Sequence, residues 1–421
     1  MGLIGLCDCN NFFVSCERLF RPELEGRAVV VLSNNDGCAI ARSNEAKALG
    51  VKMGQPLFQI QDFVRRGELI ICSSNYRLYG DLSSRVMTTL KEHLPSIEIY
   101  SIDEAFLDYS GFPIDGVEGH GREIARIVRR NTGIPVSIGI APTKTLAKIA
   151  SKLCKQYPKL KGCCLMRRAE DIEKVLRGYP VADVWGIGRR SAKMLLGYGV
   201  TTAWEFRSAP ESWVRGMMGL TGLRTWRELN GEQSISFEDR VVGRQSITVS
   251  RSFSHEIYDF NELHQAVITF AARAGEKLRA QGSVSSQLQV VIFTNRHRED
   301  RPQHHEGMLH QFTTPTDSTL EIASAAAMLL KKLYREGFGY KKAGVSMMDI
   351  SSKQGVQSSF FDGVDHERHT SLMETMDRVN KKMGRETIRL GSQGDALVPS
   401  SSDYRSPNYT TEWSDILTIK V

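Results

Sequence analysis

Apolar residues run almost unbroken over residues 3–9, Leu-Ile-Gly-Leu-Cys-Asp-Cys, with one charge, Asp8, near the end. Such a run predicts a core strand. Residues 97–109, Ile-Glu-Ile-Tyr-Ser-Ile-Asp-Glu-Ala-Phe-Leu-Asp-Tyr, alternate on the way in and turn apolar on the way out. They read as two short strands meeting at a tight turn that carries Asp103 and Glu104. Between these stretches, 27–32 and 38–42 read as strands, and 44–49 as a helical run closed by Gly50. Leu82, Val86, Leu90 and Leu94, spaced by four, predict an amphipathic helix over 81–94. After the hairpin the pattern predicts a helix over 119–132, a strand over 134–140 and a helix over 143–155. Residues 1–12 and 76–167 thus follow the order of a split βαβ, ferredoxin-like palm, with 13–75 as a small insert of mixed structure.

Residues 168–236 change character, to short helical pieces rich in Arg and Gly with no evident strand. Residues 237–243 read as a linker. Residues 244–350 then repeat one motif twice: strand 245–253, helix 261–281, strand 286–294; strand 307–314, helix 318–336, strand 341–350. That pattern predicts a four-stranded sheet with two helices on one face. From 351 the composition loosens, a helix is expected over 367–383, and a polar tail follows. The whole is an α+β multidomain chain.

A length of 421 residues accommodates two to four domains. The net charge of +7 and a pI near 8.9 suit a polyanionic partner. No apolar run is long enough to span a membrane, and the first residues lack the charge and length of a secretory signal. All eight cysteines fall within the first 164 residues, without a C-x-x-C zinc spacing. They read as small buried residues of a protein in a reducing cytoplasm.

Candidate chemistry centres on the carboxylates. Two adjacent acids flanked by apolar positions repel each other, and a fold that partly buries them needs a cation. If the 3–9 strand lies beside the hairpin, Asp8, Asp103 and Glu104 converge, and three such carboxylates suit two magnesium ions and a nucleotide triphosphate. An isolated Asp-Glu turn would simply be solvated; the acid at the tip of a core strand is what changes that. Lys144, Lys148 and Lys152 form a ridge on the 143–155 helix, a solvated face unless an acidic metal site brings phosphates to it. Trp185-Gly-Ile-Gly-Arg-Arg-Ser191 joins two helices. Its Gly186-x-Gly188 turn could present backbone N–H groups to a DNA phosphate, with Arg189, Arg190 and Lys193 beside it. Arg244, Arg251, Arg296 and Arg298 could track phosphates along the second sheet. Phe360 and Phe361 sit in a Ser- and Gly-rich stretch with no local core, as an anchor for a partner's pocket would.

Taken together the residues resemble the Y-family translesion DNA polymerases of UmuC type. The resemblance rests on Val31-Leu-Ser-Asn-Asn-Asp-Gly37, Glu45-Ala-Lys-Ala-Leu-Gly-Val-Lys-Met-Gly54, Ile99-Tyr-Ser-Ile-Asp-Glu-Ala-Phe106, Thr143-Lys-Thr-Leu-Ala-Lys148 and Val184-Trp-Gly-Ile-Gly188, and it covers essentially the whole chain. It implies a right-handed polymerase: palm 1–12 and 76–167, fingers 13–75, thumb 168–236 with a helix-hairpin-helix, little finger 244–350 (βαββαβ) and an interaction tail 351–421. It implies metal binding by Asp8, Asp103, Glu104 and the Cys9 carbonyl, with two Mg2+ ions. Phe12 and Phe13 fall at the substrate, Phe13 at the steric gate that crowds a ribose 2′-hydroxyl. Asn44, Lys47 and Lys148 fall at triphosphate contacts, although tyrosine and arginine are commoner in the first two places. Gln357-Ser-Ser-Phe-Phe361 resembles a sliding-clamp peptide, with Phe360 where Leu is usual. Primer–template DNA, dNTP, a sliding clamp, a processed UmuD dimer and a RecA filament are the implied partners. Error-prone synthesis past damaged template in SOS mutagenesis is the implied role.

Two rival functions fit parts of the sequence. A nucleotidyl cyclase could use the same palm but has no need of the thumb or the basic sheet domain. A noncatalytic DNA- and clamp-binding scaffold would have no need of three carboxylates.

Overall fold

A computed structural model describes residues 2–238, 243–357, 362–394 and 401–418. The chain forms two units, one of residues 1–241 with 402–421 and one of 242–401.

The first unit opens with β1 (Ile4–Cys9), α1 (Phe12–Phe20), β2 (Val29–Leu32), β3 (Ala39–Arg42), α2 (Asn44–Ala48), α3 (Leu57–Arg65) and β4 (Ile70–Ser73). It continues through α4 (Tyr76–His93), β5 (Ile97–Ile99), β6 (Glu104–Asp108), α5 (Val117–Thr132), β7 (Val136–Ala141), α6 (Lys144–Gln156) and β8 (Cys163–Leu165). Four helices end this run: α7 (Ala169–Gly178), α8 (Arg189–Gly197), α9 (Ala203–Ser208) and α10 (Glu211–Leu229).

The palm sheet has the order β5-β6-β1-β7-β8. Its central strand β1 is antiparallel to both neighbours and buried on both faces, and the double burial is why its apolar run is nearly continuous. Cys7, Leu107 and Ile138 point into a core shared with α4 and α5. Ile4, Leu6 and Phe106 point to the other face, where α6 and the thumb helices cover them. On that face Gly139 lies opposite Leu6. A Cβ at Gly139 would stand 2.1 Å from the Ser151 backbone nitrogen and 2.3 Å from the Ala147 carbonyl oxygen. Glycine therefore sets how closely α6 approaches the sheet.

Several elements exceed the sequence reading. α4 starts at Tyr76 rather than 81 because the Asn75 side chain caps it, accepting from the Leu78 N–H. The fingers sheet, β3-β2-β4, gains β4 parallel to β2, and α3 packs on its core through Ile60. β8 adds a fifth palm strand. Each of β4 and β8 has four residues or fewer, too short to show a period.

The second unit contains β9 (Ile247–Ile257), α11 (Phe260–Ala280), β10 (Ser283–Thr294), β11 (His305–Thr316), α12 (Thr319–Leu333), β12 (Tyr340–Ser352) and α13 (His366–Met383). Its sheet order is β11-β10-β12-β9. Leu263, Val267 and Phe270 of α11 and Ile322, Ala326 and Leu329 of α12 pack on one face. On the other face small polar side chains lie open, with Thr248 bonded to Ser346 at 2.9 Å. Arg298 is ion-paired with Asp300 at 2.7 Å, so it is not a free phosphate tracker. The stretch expected as one tail is divided. Its helix α13 is tied to α11 by the Arg279–Asp377 pair at 2.7 Å, while residues 402–418 belong to the first unit. No helix among the described residues is long and apolar enough to cross a membrane. All eight cysteines are free.

Candidate active site

Asp8 lies near the end of β1, directly opposite Glu104 at the start of β6. Both point to the α6 face, as the two-residue strand period requires. The Cys9 N–H donates to the Asp103 carbonyl at 2.9 Å, which brings the turn residue to the same corner. The structure thus brings Asp8 to the adjacent pair Asp103 and Glu104, distant from it in sequence. Burial pushes the Asp8 carboxyl up to about 6, against the pull of Lys155, with Glu104 and Asp103 adding repulsion. Burial also raises the Cys7 and Cys9 thiols. The Cys9 side chain is packed in the palm core, which leaves its carbonyl as the group it could offer an ion.

Among the described residues no three His, Cys, Asp or Glu side chains stand ready-made around a metal position. The reason is local. Lys148 Nζ lies 2.7 Å from Glu104 Oε1, Lys155 Nζ lies 2.5 Å from Asp8 Oδ1, and Ser101 Oγ donates to Asp103 Oδ1 at 2.6 Å. Each acid is turned toward its own partner, and two ammonium groups supply the positive charge that the cluster demands. The donor set fits hard divalent ions: three carboxylates and a backbone carbonyl, all oxygen. Asp8, Asp103, Glu104 and the Cys9 carbonyl are the groups that would hold them.

α6 delivers the lysines. Lys148 and Lys155 are seven residues apart, two turns along one side of the helix. Lys155 is the residue the sequence reading missed; its spacing from Lys148 was the available signal. Lys148 also lies over the rings of Tyr100 (4.7 Å) and Trp185 (5.4 Å), and Trp185 Nε1 donates to the Tyr100 hydroxyl at 3.2 Å. The other two members of the expected ridge have different duties. Lys144 is fully buried, bound to Glu98 at 2.6 Å and to the Ser236 carbonyl at 2.7 Å. Lys152 pairs with Asp183 at 2.8 Å. The three lysines are therefore not one solvated or phosphate-facing row.

The fingers residues meet the start of α1. Asn11 stands at the N-terminal boundary of that helix in the left-handed region, φ 46°, with its side chain turned to the fingers rather than to the helix N–H groups. Its Nδ2 donates to Asn44 Oδ1 at 3.1 Å, and its Oδ1 accepts from Lys47 Nζ at 2.7 Å. Lys47 also reaches Asn44 at 3.2 Å. Burial, then Arg42 and Lys155, hold the Lys47 ammonium below its ordinary value, against the opposing pull of Asp8. Phe13 is partly buried and stacks on Tyr79, with centroids 4.5 Å apart and planes 16° apart. The Phe12 side chain is 3% exposed within the palm core, so its backbone is the part of it open to a substrate.

In the thumb, Gly186 has φ 91°, and a Cβ there would meet Thr225 Oγ1 at 2.3 Å. Gly188 caps α8. Arg189, Arg190 and Lys193 are exposed and make no ion pair among the described residues. Gln357 is exposed; Phe360 and Phe361 lie outside the described residues.

A carboxylate-bearing palm with small fingers, a helical thumb and a separate βαββαβ unit is the architecture of a Y-family polymerase. A Y-family DNA polymerase chimera of Dbh and Dpo4 superposes with a TM-score of 0.68 at 22% identity, covering 83% of this chain and 99% of its own. DinB from Sulfolobus solfataricus gives 0.52 at 21% over the same shares. The impB/mucB/samB family model matches residues 7–152 and its C-terminal domain matches 244–360. A domain of unknown function matches 370–419. Protein UmuC of Salmonella typhimurium is 40% identical over 99% of this chain and all of its own length. Protein MucB of Escherichia coli is 35% identical over 98% and 99%, and DNA polymerase IV 1 of Bacillus subtilis is 28% identical over 91% of each. The chain belongs to the impB/mucB/samB family and is a UmuC-type, DNA-directed DNA polymerase of the Y family.

Proposed function

We propose that this chain extends primers past damaged template by two-metal nucleotidyl transfer, without proofreading, in the cytoplasm during SOS mutagenesis. The observation that carries the reading is the opposed pair Asp8 and Glu104, with Asp103 joined to Cys9 across the same strand ends. Two magnesium ions held there would activate the primer 3′-hydroxyl and neutralise charge on the departing pyrophosphate. Asp8, Asp103 and Glu104 would bind and space those ions. Lys148 and Lys155, on the same side of α6 beside the carboxylates, would set their charge against the triphosphate. Lys47 and Asn44, fixed to Asn11, bind its outer phosphates, and the Phe12 backbone at the start of α1 adds to them. Phe13, held flat on Tyr79, crowds a ribose 2′-hydroxyl and so selects deoxynucleotides. Gly186, Gly188, Arg189, Arg190 and Lys193 hold the DNA backbone behind the primer end. Gln357, Phe360 and Phe361 dock on a sliding clamp. A processed UmuD dimer and a RecA filament complete the active assembly.

Extension of a primer past an abasic site, with and without those partners, tests the proposal. The assembled wild type extends with Mg2+, and Asp103→Ala binds DNA but does not extend. Extension by Asp103→Ala would remove the carboxylate assignment. Phe13→Ala incorporates ribonucleotides more readily.

A further inference from the structure

The C-terminal residues 370–419 match the model of a domain of unknown function, and their last part is fixed to the first unit by specific contacts. Among residues 401–418 one side chain is buried: Ser406, 7% exposed. Its hydroxyl donates to Glu17 Oε1 at 3.0 Å across a sequence separation of 389 residues. The Asn75 amide donates to the Ser406 carbonyl at 3.0 Å, to its hydroxyl at 3.2 Å and to the Pro407 carbonyl at 3.1 Å. Backbone pairing brings the segment to the edge strand β4: Ser73 N–H donates to the Tyr404 carbonyl, and Tyr404 N–H to Ser73 Oγ, both at 3.0 Å. Tyr409 stacks on Phe20 with centroids 4.7 Å apart.

Glu17 connects this dock to the nucleotide side. Its Oε1 accepts the Tyr79 hydroxyl at 2.6 Å as well as that of Ser406. Its Oε2 has no hydrogen-bond partner among the described residues, so the two hydroxyls fix the buried carboxyl. The ring of Tyr79 is the platform on which Phe13 lies. Ser406, Glu17, Tyr79 and Phe13 form one continuous chain of contacts from the C-terminal segment to the aromatic at the sugar position. A buried polar group deprived of a partner must reorient or remain unsatisfied. Loss of Ser406 therefore shifts Tyr79 and the ring stacked on it.

We infer that residues 402–409 are a positioning strap for the sugar gate, with Ser406 its positioning residue. This rests on the reading of Phe13 as that gate. The test is single-turnover incorporation of a dNTP and its matching rNTP by the full chain with its partner proteins. The wild type, Phe13→Ala, Ser406→Ala, Ser406→Thr and Tyr79→Phe are compared. Phe13→Ala reports on the gate itself; unchanged sugar discrimination there overturns the gate and the strap together. With the gate active, Ser406→Ala and Tyr79→Phe lower discrimination roughly fivefold, the scale of one buried hydrogen bond. Ser406→Thr, which keeps the hydroxyl, retains the wild-type ratio. A loosened strap with no link to the gate would lower the melting temperature alone. If Phe13→Ala relaxes discrimination while Ser406→Ala and Tyr79→Phe keep the wild-type ratio, the strap is only structural and the inference is wrong. Tyr79→Phe leaves the strap residues untouched, so the test stands even if Ser406→Ala folds poorly.

Discussion

Gly139→Ala adds a single methyl group between the palm sheet and α6. The new Cβ would lie 2.1 Å from Ser151 N, 2.3 Å from Ala147 O and 2.7 Å from Ala150 C, whereas ordinary contact begins at 3.4 Å. All three atoms are helix backbone, so no side chain can swing aside. α6 must retreat by about 1 Å or the strand must bend. Overpacking of this kind costs about 1–3 kcal/mol. The larger effect falls on the site, because α6 carries Lys148 and Lys155 at 2.7 and 2.5 Å from their carboxylates. A misplacement of about 1 Å in a reacting constellation costs on the order of 100-fold in rate. Gly119→Ala is the control: it lies in α5, where nothing stands within 4 Å of its Cβ position, and it gains at most about 1 kcal/mol. Single-nucleotide incorporation rates and thermal melts of both variants, at saturating DNA, read the effect. Gly139→Ala folded and at the wild-type rate would refute the view that this glycine sets the helix–sheet spacing on which the lysines depend.

Three further outcomes follow from the same geometry. Lys144→Met leaves Glu98, 15% exposed at its side chain, without its ammonium and with only the Glu238 N–H at 2.7 Å, and costs about 3–5 kcal/mol in urea unfolding; adding Glu98→Gln restores most of that, and no restoration would deny the pairing. Burial raises the Glu17 carboxyl above its ordinary 4.5, against hydrogen bonds from Tyr79 and Ser406 and the charge of Arg21. Its contribution to stability is thus full below that ordinary value and is lost as pH rises through the raised one. Melting temperature should then fall less with rising pH in Glu17→Gln than in the wild type; parallel curves would contradict this. Replacing Arg189, Arg190 and Lys193 by Ala should weaken DNA binding across sequences and reduce the salt slope by about one for each phosphate no longer neutralised; an unchanged slope would take α8 off the DNA.

The carboxylate corner was legible because each part carried its own signal: an acid at the tip of an apolar strand, and two acids at a hairpin turn. The face on which they meet follows from the two-residue strand period. The duties of the lysines were not legible. Periodicity places Lys144, Lys148 and Lys152 on one row, but only tertiary packing decides that Lys144 is sealed under Phe106 and Phe237. It also makes Lys155 the partner of Asp8. α1 was hidden because a buried charge, Glu17, breaks its apolar face, and that charge makes sense only with Tyr79 and Ser406 beside it. The docking of 402–409 left no trace in composition, since it rests on one serine, one tyrosine ring and backbone groups in a polar stretch.

Counting bound divalent ions tests the core of the account most directly. With primer–template and a non-reacting dNTP analogue, Mn2+ titration followed by electron paramagnetic resonance should find two ions per wild-type chain. Asp8→Asn and Glu104→Gln should each lose at least one while still binding DNA. Wild-type ion binding in both variants would show that these carboxylates are not where the metals sit.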